Sequence, residues 1–274
     1  MFLHHMSKHK RTAKRAVSGQ PEIAETKDKS QYVWQRDKLR EPLKIHQRFT
    51  LTPKQQAFAE TALHKDTRLV LCDGIWGSAK TYLSVYCALE LLSQKRADSI
   101  LYLRAPVEAG KGIGFLPGDQ NSKVNPYAEP LFQKLHELVD EPTIKMLEND
   151  KRIEIVPPGF TRGLSWNCKA VIVDEAANFD RAMLELIISR IGPFCKIFII
   201  GSKHQSDIKD PHGFMSVFQA FDDEESRGQG IFTFTFNEES DIVRSTFVKY
   251  CMRKLGVLKP VEPIGANGDW VPRQ

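Results

Sequence analysis

Apolar residues along this chain fall into short unbroken runs, and that rhythm predicts the fold. Arg68 to Cys72, Ser99 to Arg104, Ala170 to Glu175 and Lys196 to Gly201 are built around such runs. Apolar stretches of this length, bounded by polar or Gly/Pro residues, suit strands buried on both faces. Ile153 to Val156 reads as a shorter strand closed by Pro157-Pro158-Gly159, and Ile231 to Phe236 alternates as a strand with one wetter face. Between them the spacing changes to helical. Thr52 caps a helix with Pro53 at its first position, followed by Gln55, Phe58, Ala59 and Ala62. Tyr82 to Leu92, Leu131 to Leu138 and Met183 to Ile191 complete the predicted helices. Strands alternating with helices predict the α/β class: a mostly parallel sheet with helices on both faces.

The same pattern divides the chain. Residues 1–48 read as a basic, largely disordered N-terminal arm and lead-in, with Tyr32 to Trp34 and Leu43 to Ile45 extended across the core. Residues 49–256 form one α/β domain, and 257–274 a C-terminal tail containing Trp270. Glu108 to Asp119 and Asp222 to Gly228 read as loops, the first rich in glycine and the second a charged surface loop.

Charge sharpens this division. The net charge is +5, but residues 1–48 hold twelve Lys/Arg against five Asp/Glu, a surplus of seven, which leaves residues 49–274 at −2. The positive charge is a property of the arm, which is expected either to neutralise nucleic-acid phosphates or to be a solvated tail. Five scattered cysteines without C-x-x-C spacing suggest buried thiols in a reducing compartment. No apolar stretch approaches the roughly 18 residues of a membrane span, and Met1 to Met6 is too short for a signal-peptide core. A cytoplasmic protein with no membrane partner is expected.

Candidate chemistry begins where the first strand ends. Gly74-Ile75-Trp76-Gly77-Ser78-Ala79-Lys80-Thr81 fits G-x-x-x-x-G-K-[ST] except at Ala79, where glycine is expected for close backbone approach. Successive N–H groups and a helix N-terminus would then face one concavity, which favours a polyphosphate such as that of ATP. Lys80 would reach the β- and γ-phosphates, and the Thr81 hydroxyl would hold Mg²⁺. Further on, Val171-Ile172-Val173-Asp174-Glu175 delivers two acids at the carboxyl end of a strand, where ligands of open α/β sheets bind. Asp174 is the candidate metal ligand and Glu175 the group that polarises an attacking water. His204, Asp207, Asp210 and His212 lie close in sequence, but their spacing matches no standard metal site and reads as a polar loop.

Several blocks, in order, carry a family resemblance. They are Thr52-Pro53-Lys54-Gln55-Gln56, Arg104 to Gly110, Gly114-Phe115-Leu116-Pro117-Gly118-Asp119, Asn125-Pro126-Tyr127, Arg162-Gly163, Asp174 to Asn178, Arg190-Ile191-Gly192, Gln205-Ser206-Asp207 and Asp241-Ile242-Val243-Arg244. Across roughly residues 49 to 256 the chain resembles the PhoH-like proteins, predicted ATPases with a RecA-like core related to superfamily 1 helicases. The resemblance implies a single RecA-like P-loop domain, ATP and Mg²⁺ as ligands, and ATP hydrolysis coupled to RNA or single-stranded DNA. It also implies a homo-oligomeric ring, a hexamer among its forms. Gln55 resembles the glutamine that reads adenine, and Gln205 a sensor near the γ-phosphate. Arg244 resembles the arginine that meets charge on the transferring phosphoryl, expected to come from a neighbouring subunit. Arg104 and Arg162 are candidates for contacting phosphate or nucleic acid. The chain departs from the family at Trp76, Ala79, Ala177 and Ser202, the last in place of an acid. Three readings therefore stay open: an ATPase, an ATP-binding module with little hydrolysis, and a nucleic-acid-binding protein whose phosphate loop has decayed.

Overall fold

Among the described residues of the computed structural model, six strands form where the apolar runs stand: β1 (Leu69–Gly74), β2 (Ser99–Arg104), β3 (Ile153–Ile155), β4 (Lys169–Asp174), β5 (Lys196–Gly201) and β6 (Ile231–Phe236). The structure describes residues 39, 41–105, 120–161, 165–203 and 213–258, with residues 120–126 and 160 described by their backbone. The strands pair in the order β3-β2-β4-β5-β1-β6, and every pairing is parallel. The single sheet confirms the expected α/β, RecA-like architecture. It places β5 between the strand that feeds the Gly-rich loop and the strand that ends in acids.

Alternate residues of each central strand serve opposite faces, as a period of two requires. Val70, Cys72, Ile100, Tyr102, Ala170, Ile172, Phe198 and Ile200 pack on one face. Leu69, Leu71, Leu101, Leu103, Val171, Val173, Ile197 and Ile199 pack on the other. Helices α1 (Pro53–Leu63), α2 (Lys80–Ser93), α3 (Gln120–Leu138) and α4 (Glu141–Asn149) cover the first face, and α5 (Arg181–Ile188) and α6 (Gly213–Ala220) the second. Burial on both sides is what makes these strands continuous apolar runs. At the edge, β6 is half-buried along most of its length, which matches its alternating sequence.

The structure also contains helices the pattern did not predict: α4, α6, α7 (Glu224–Gly228) and α8 (Thr246–Lys254). The Asp222 to Gly228 loop is corrected accordingly, because Asp223 accepts the Ser226 N–H and caps α7. The helix expected from Leu131 starts at Gln120 and runs through Pro126 and Pro130. Leu39 is buried, and Leu43 and Ile45 pack against the first core face, so this described part of the lead-in belongs to the globule. Four of the cysteines are buried and Cys251 half-buried, none of them in a disulfide. No helix among the described residues is long and apolar enough to cross a membrane. Tyr32 to Trp34, the Glu108–Asp119 loop and Trp270 lie outside the described residues.

Candidate functional site

Parallel strands point their carboxyl ends the same way, so Gly74, Asp174 and Gly201 finish along one edge of the sheet. The loop from Gly74 to Ala79 crosses this edge and enters α2 at Lys80. Two residues set its curvature in the left-handed region, Gly77 at φ +84° and Ala79 at φ +63°. For Ala79 that conformation costs about 1–2 kcal/mol, because its Cβ approaches the following carbonyl. The methyl thus occupies a position that glycine would fill without strain. Ala79 is also the N-cap of α2 and makes no side-chain cap bond, which leaves the first N–H groups of the helix for another acceptor.

A pocket of about 350 Å³ opens over this loop, lined by Lys80, Thr81, Asp174, Glu175, Gly201 and Arg244 among others. Lys80 Nζ donates to the carbonyls of Gly74 at 2.6 Å and Ile75 at 3.1 Å. Burial pushes its pKa below the usual lysine range, while Cys72, Glu175, Asp174 and Asp73 favour the charged form. Thr81 Oγ1 lies 3.3 and 3.4 Å from the two oxygens of Asp174. Asp174 also accepts from the hydroxyl of Tyr102 at 2.7 Å and the N–H of Glu175 at 2.9 Å. The Tyr102 hydroxyl is driven well above its ordinary pKa by burial and by the Asp174 carboxylate, so it remains a donor. A hydroxyl and an oriented carboxylate are hard oxygen donors, the set that suits Mg²⁺ completed by phosphate and water. Among the described residues no group of three or more His, Cys, Asp or Glu side chains is placed to hold a metal, and such a Mg²⁺ ion does not require one.

Glu175 leaves β4 in the left-handed conformation, φ +53°, and its carboxylate stands 3.7 Å from Arg104 at the end of the neighbouring strand. Arg104 is thereby placed at the acid rather than out in solvent. Ser202 follows β5, buried, with its hydroxyl unpartnered among the described residues. Asp73 lies across from Gly201 in register, buried, and accepts the Lys203 N–H at 3.0 Å. Tyr102 and Asp73 are not marked by the sequence, since each sits inside or beside an apolar run as one polar position. Phe49, Lys134 and Glu137 also line the pocket and likewise have no motif to mark them. Gln205, Arg162 and the Gly114 to Asp119 block lie outside the described residues.

Two residues singled out by the resemblance make contacts within this chain that the sequence did not foretell. Arg244 lies on the loop of its own chain: a Cβ added at Gly77 would stand 2.9 Å from Arg244 Cγ, and the Val243 N–H donates to the Gly77 carbonyl at 3.1 Å. It lines the same pocket as Lys80 of the same chain. Gln55 is fully buried, and its amide is occupied within the protein. Oε1 accepts the Thr52 N–H at 3.1 Å, while Nε2 donates to the carbonyls of Ser78 at 3.3 Å and Asp241 at 3.0 Å. Both amide hydrogens are thus used within the protein.

A Gly-bearing loop between strand and helix, a strand that ends in Asp174-Glu175, and a further strand between them define the class of RecA-like P-loop domains. The PhoH-like protein family model matches residues 49–255, and this chain belongs to that family, which is of the P-loop ATPase type. The chain is 37% identical over 155 residues to a PhoH-like protein of Bacillus subtilis, covering 57% of this chain and 48% of the relative. A PhoH-like protein of Synechocystis is 32% identical over 181 residues, 66% of this chain and 54% of that one. Protein PhoH of Escherichia coli is 29% identical over 194 residues, 69% and 52%. The chain thus spans about half the length of the curated relatives it matches.

Proposed function

We propose that this chain binds ATP with Mg²⁺ in the pocket above Gly74 to Thr81 and hydrolyses it. The observation that carries this reading is the convergence of Lys80, Thr81, Asp174, Glu175 and Arg244 on one pocket at the carboxyl edge of the sheet. The loop N–H groups and the start of α2 offer donors to phosphate oxygens, and the Lys80 ammonium exchanges its carbonyl partners for them. Thr81 and Asp174 would hold the metal, which when bound would screen charge on the β- and γ-phosphates. Glu175 takes the proton of the attacking water, and Arg244 lends its guanidinium to the γ-phosphoryl as charge develops there. Glu175→Gln keeps hydrogen bonding but removes the base, so ATP affinity should persist while phosphate release falls by roughly 10² or more. Release at the parent rate would remove Glu175 from this role.

The second reading, an ATP-binding module that turns over slowly, draws on two observations. Ser202 offers a neutral hydroxyl where an acid is expected, and Arg104 stands against the Glu175 carboxylate. A slow parent rate that rises with Arg104→Ala would favour it. RNA or single-stranded DNA is the proposed partner, through the basic arm. A homo-oligomeric ring is proposed with it, tested by molecular mass in solution with and without ATP and Mg²⁺.

A further inference from the structure

Asn237 to Arg244 leaves β6 and runs along the side of the phosphate loop, and the Gln55 side chain bonds to both. We infer that Gln55 is a positioning residue: its amide clamps the phosphate loop to the strap that carries Arg244, and it acts on the phosphate end of the ligand rather than on the base. This rests on the reading of the pocket as an ATP site.

The geometry is specific. Thr52 and Gln55 form a reciprocal capping box at the start of α1, in which the Gln55 N–H donates to Thr52 Oγ1 and Gln55 Oε1 accepts the Thr52 N–H. That bond fixes which end of the amide is oxygen and turns Nε2 inward. There it donates one hydrogen to Ser78 O, inside the loop, and the other to Asp241 O, in the strap. The neighbouring contacts tighten the same junction. Asp241, itself buried, accepts the Glu238 N–H at 2.9 Å and stands 3.5 Å from Lys54 Nζ, and Lys54 pairs with Glu238 at 2.7 Å. The Ile75 N–H donates to Phe236 O, and the Val243 N–H to Gly77 O. Ile75 then packs with Ile242 and Met252 in a small separate core. Arg244 follows Asp241 by three residues, so the place of its guanidinium beside Gly77 depends on where that carbonyl is held. Among the described residues, Gln55 is the side chain of this junction that bonds to both the loop and the strap.

A base-free ligand separates the two roles. Binding of ATP, GTP and inorganic tripolyphosphate, each with Mg²⁺, is measured by calorimetry for the full chain and for Gln55→Glu. The variant keeps the acceptor toward Thr52 and, once ionised, has no hydrogen for Ser78 and Asp241. We expect all three ligands to weaken by a similar factor, roughly tenfold, the scale of one to two buried hydrogen bonds. Arg244→Ala should weaken tripolyphosphate in the parent and add little in the Gln55→Glu background, because the strap is already released. A loss confined to ATP, with tripolyphosphate unchanged, would make Gln55 a base reader and overturn the inference, as would unchanged binding of all three. Additive effects of the two substitutions would overturn the link to Arg244. If the parent protein binds none of the three, the ATP-site reading itself fails and takes the inference with it. Thermal melting establishes that the variant is folded; should it not be, Gln55→Met, uncharged and of similar length, replaces it with the same expected outcomes.

Discussion

At the scale of single residues, the Gly74 to Thr81 loop combines the donors proposed for phosphate with local strain. Lys80 and Thr81 line the pocket proposed for a polyphosphate, yet Ala79 takes a left-handed conformation that glycine adopts freely. Ala79→Gly should therefore raise stability by about 1 kcal/mol, the relief of strain outweighing the added freedom of the unfolded chain. Urea unfolding measures it, and nucleotide affinity should hold or rise. Ala79 also packs partly against the first core face. A net loss of stability would show that these methyl contacts exceed the strain. The candidate site residues legible in the sequence are those whose type and spacing the proposed ligand would dictate. Tyr102, which orients Asp174, is hidden there because an aromatic residue in a buried strand needs no further reason to be present. Gln55 is visible as a residue but not as a junction, since its partners lie 23 and 186 positions along the chain.

Between elements, the base of the sheet holds a second ionisable group of consequence. Lys196 starts β5 in a buried position, and its ammonium donates to the carbonyls of Ala62 and His64 at the end of α1. Burial, and then the nearby Arg96 charge, lower its pKa from the ordinary 10.5 to about 7. Below pH 7 the amine is protonated in folded and unfolded chains alike, and the cost of burying the charge is fully present. Between about pH 7 and 10.5 the unfolded chain binds a proton that the folded one does not, so this group's contribution to stability rises with pH. Lys196→Met removes the titration while keeping an unbranched stem. The stability difference between parent and variant should shift in the parent's favour from pH 7 to 9, and a difference independent of pH would refute the lowered pKa. The pairwise comparison cancels the other titrating groups the two proteins share. The strands are legible because central β1, β2, β4 and β5 are buried on both sides and carry little else. Helices α4 and α8 are not: Ile144 and Leu147 alone are buried in the first and Met252 alone in the second, too few to draw a stripe.

The whole molecule separates two kinds of charge. The surplus of seven in residues 1–48 stands against −2 in the remainder, so attraction to a polyanion is concentrated in the arm while the pocket carries its own local cations. If the arm binds RNA or single-stranded DNA, it does so chiefly through phosphates, and its contribution should be insensitive to sequence and sensitive to salt. Removing residues 1–30 takes away seven Lys/Arg and three acids. Binding to unrelated single-stranded oligonucleotides should then weaken alike, and the dependence of log K on log salt should flatten by roughly 0.7 for each phosphate that the arm no longer neutralises. ATP affinity at the pocket should stay as it was, because Lys80, Thr81, Asp174 and Arg244 all lie in residues 49–256. Fluorescence anisotropy across a series of KCl concentrations reads both affinity and slope. An unchanged slope in the shortened chain would make the arm a solvated tail. A loss confined to one oligonucleotide would mean base-specific recognition, which charge neutralisation alone does not supply.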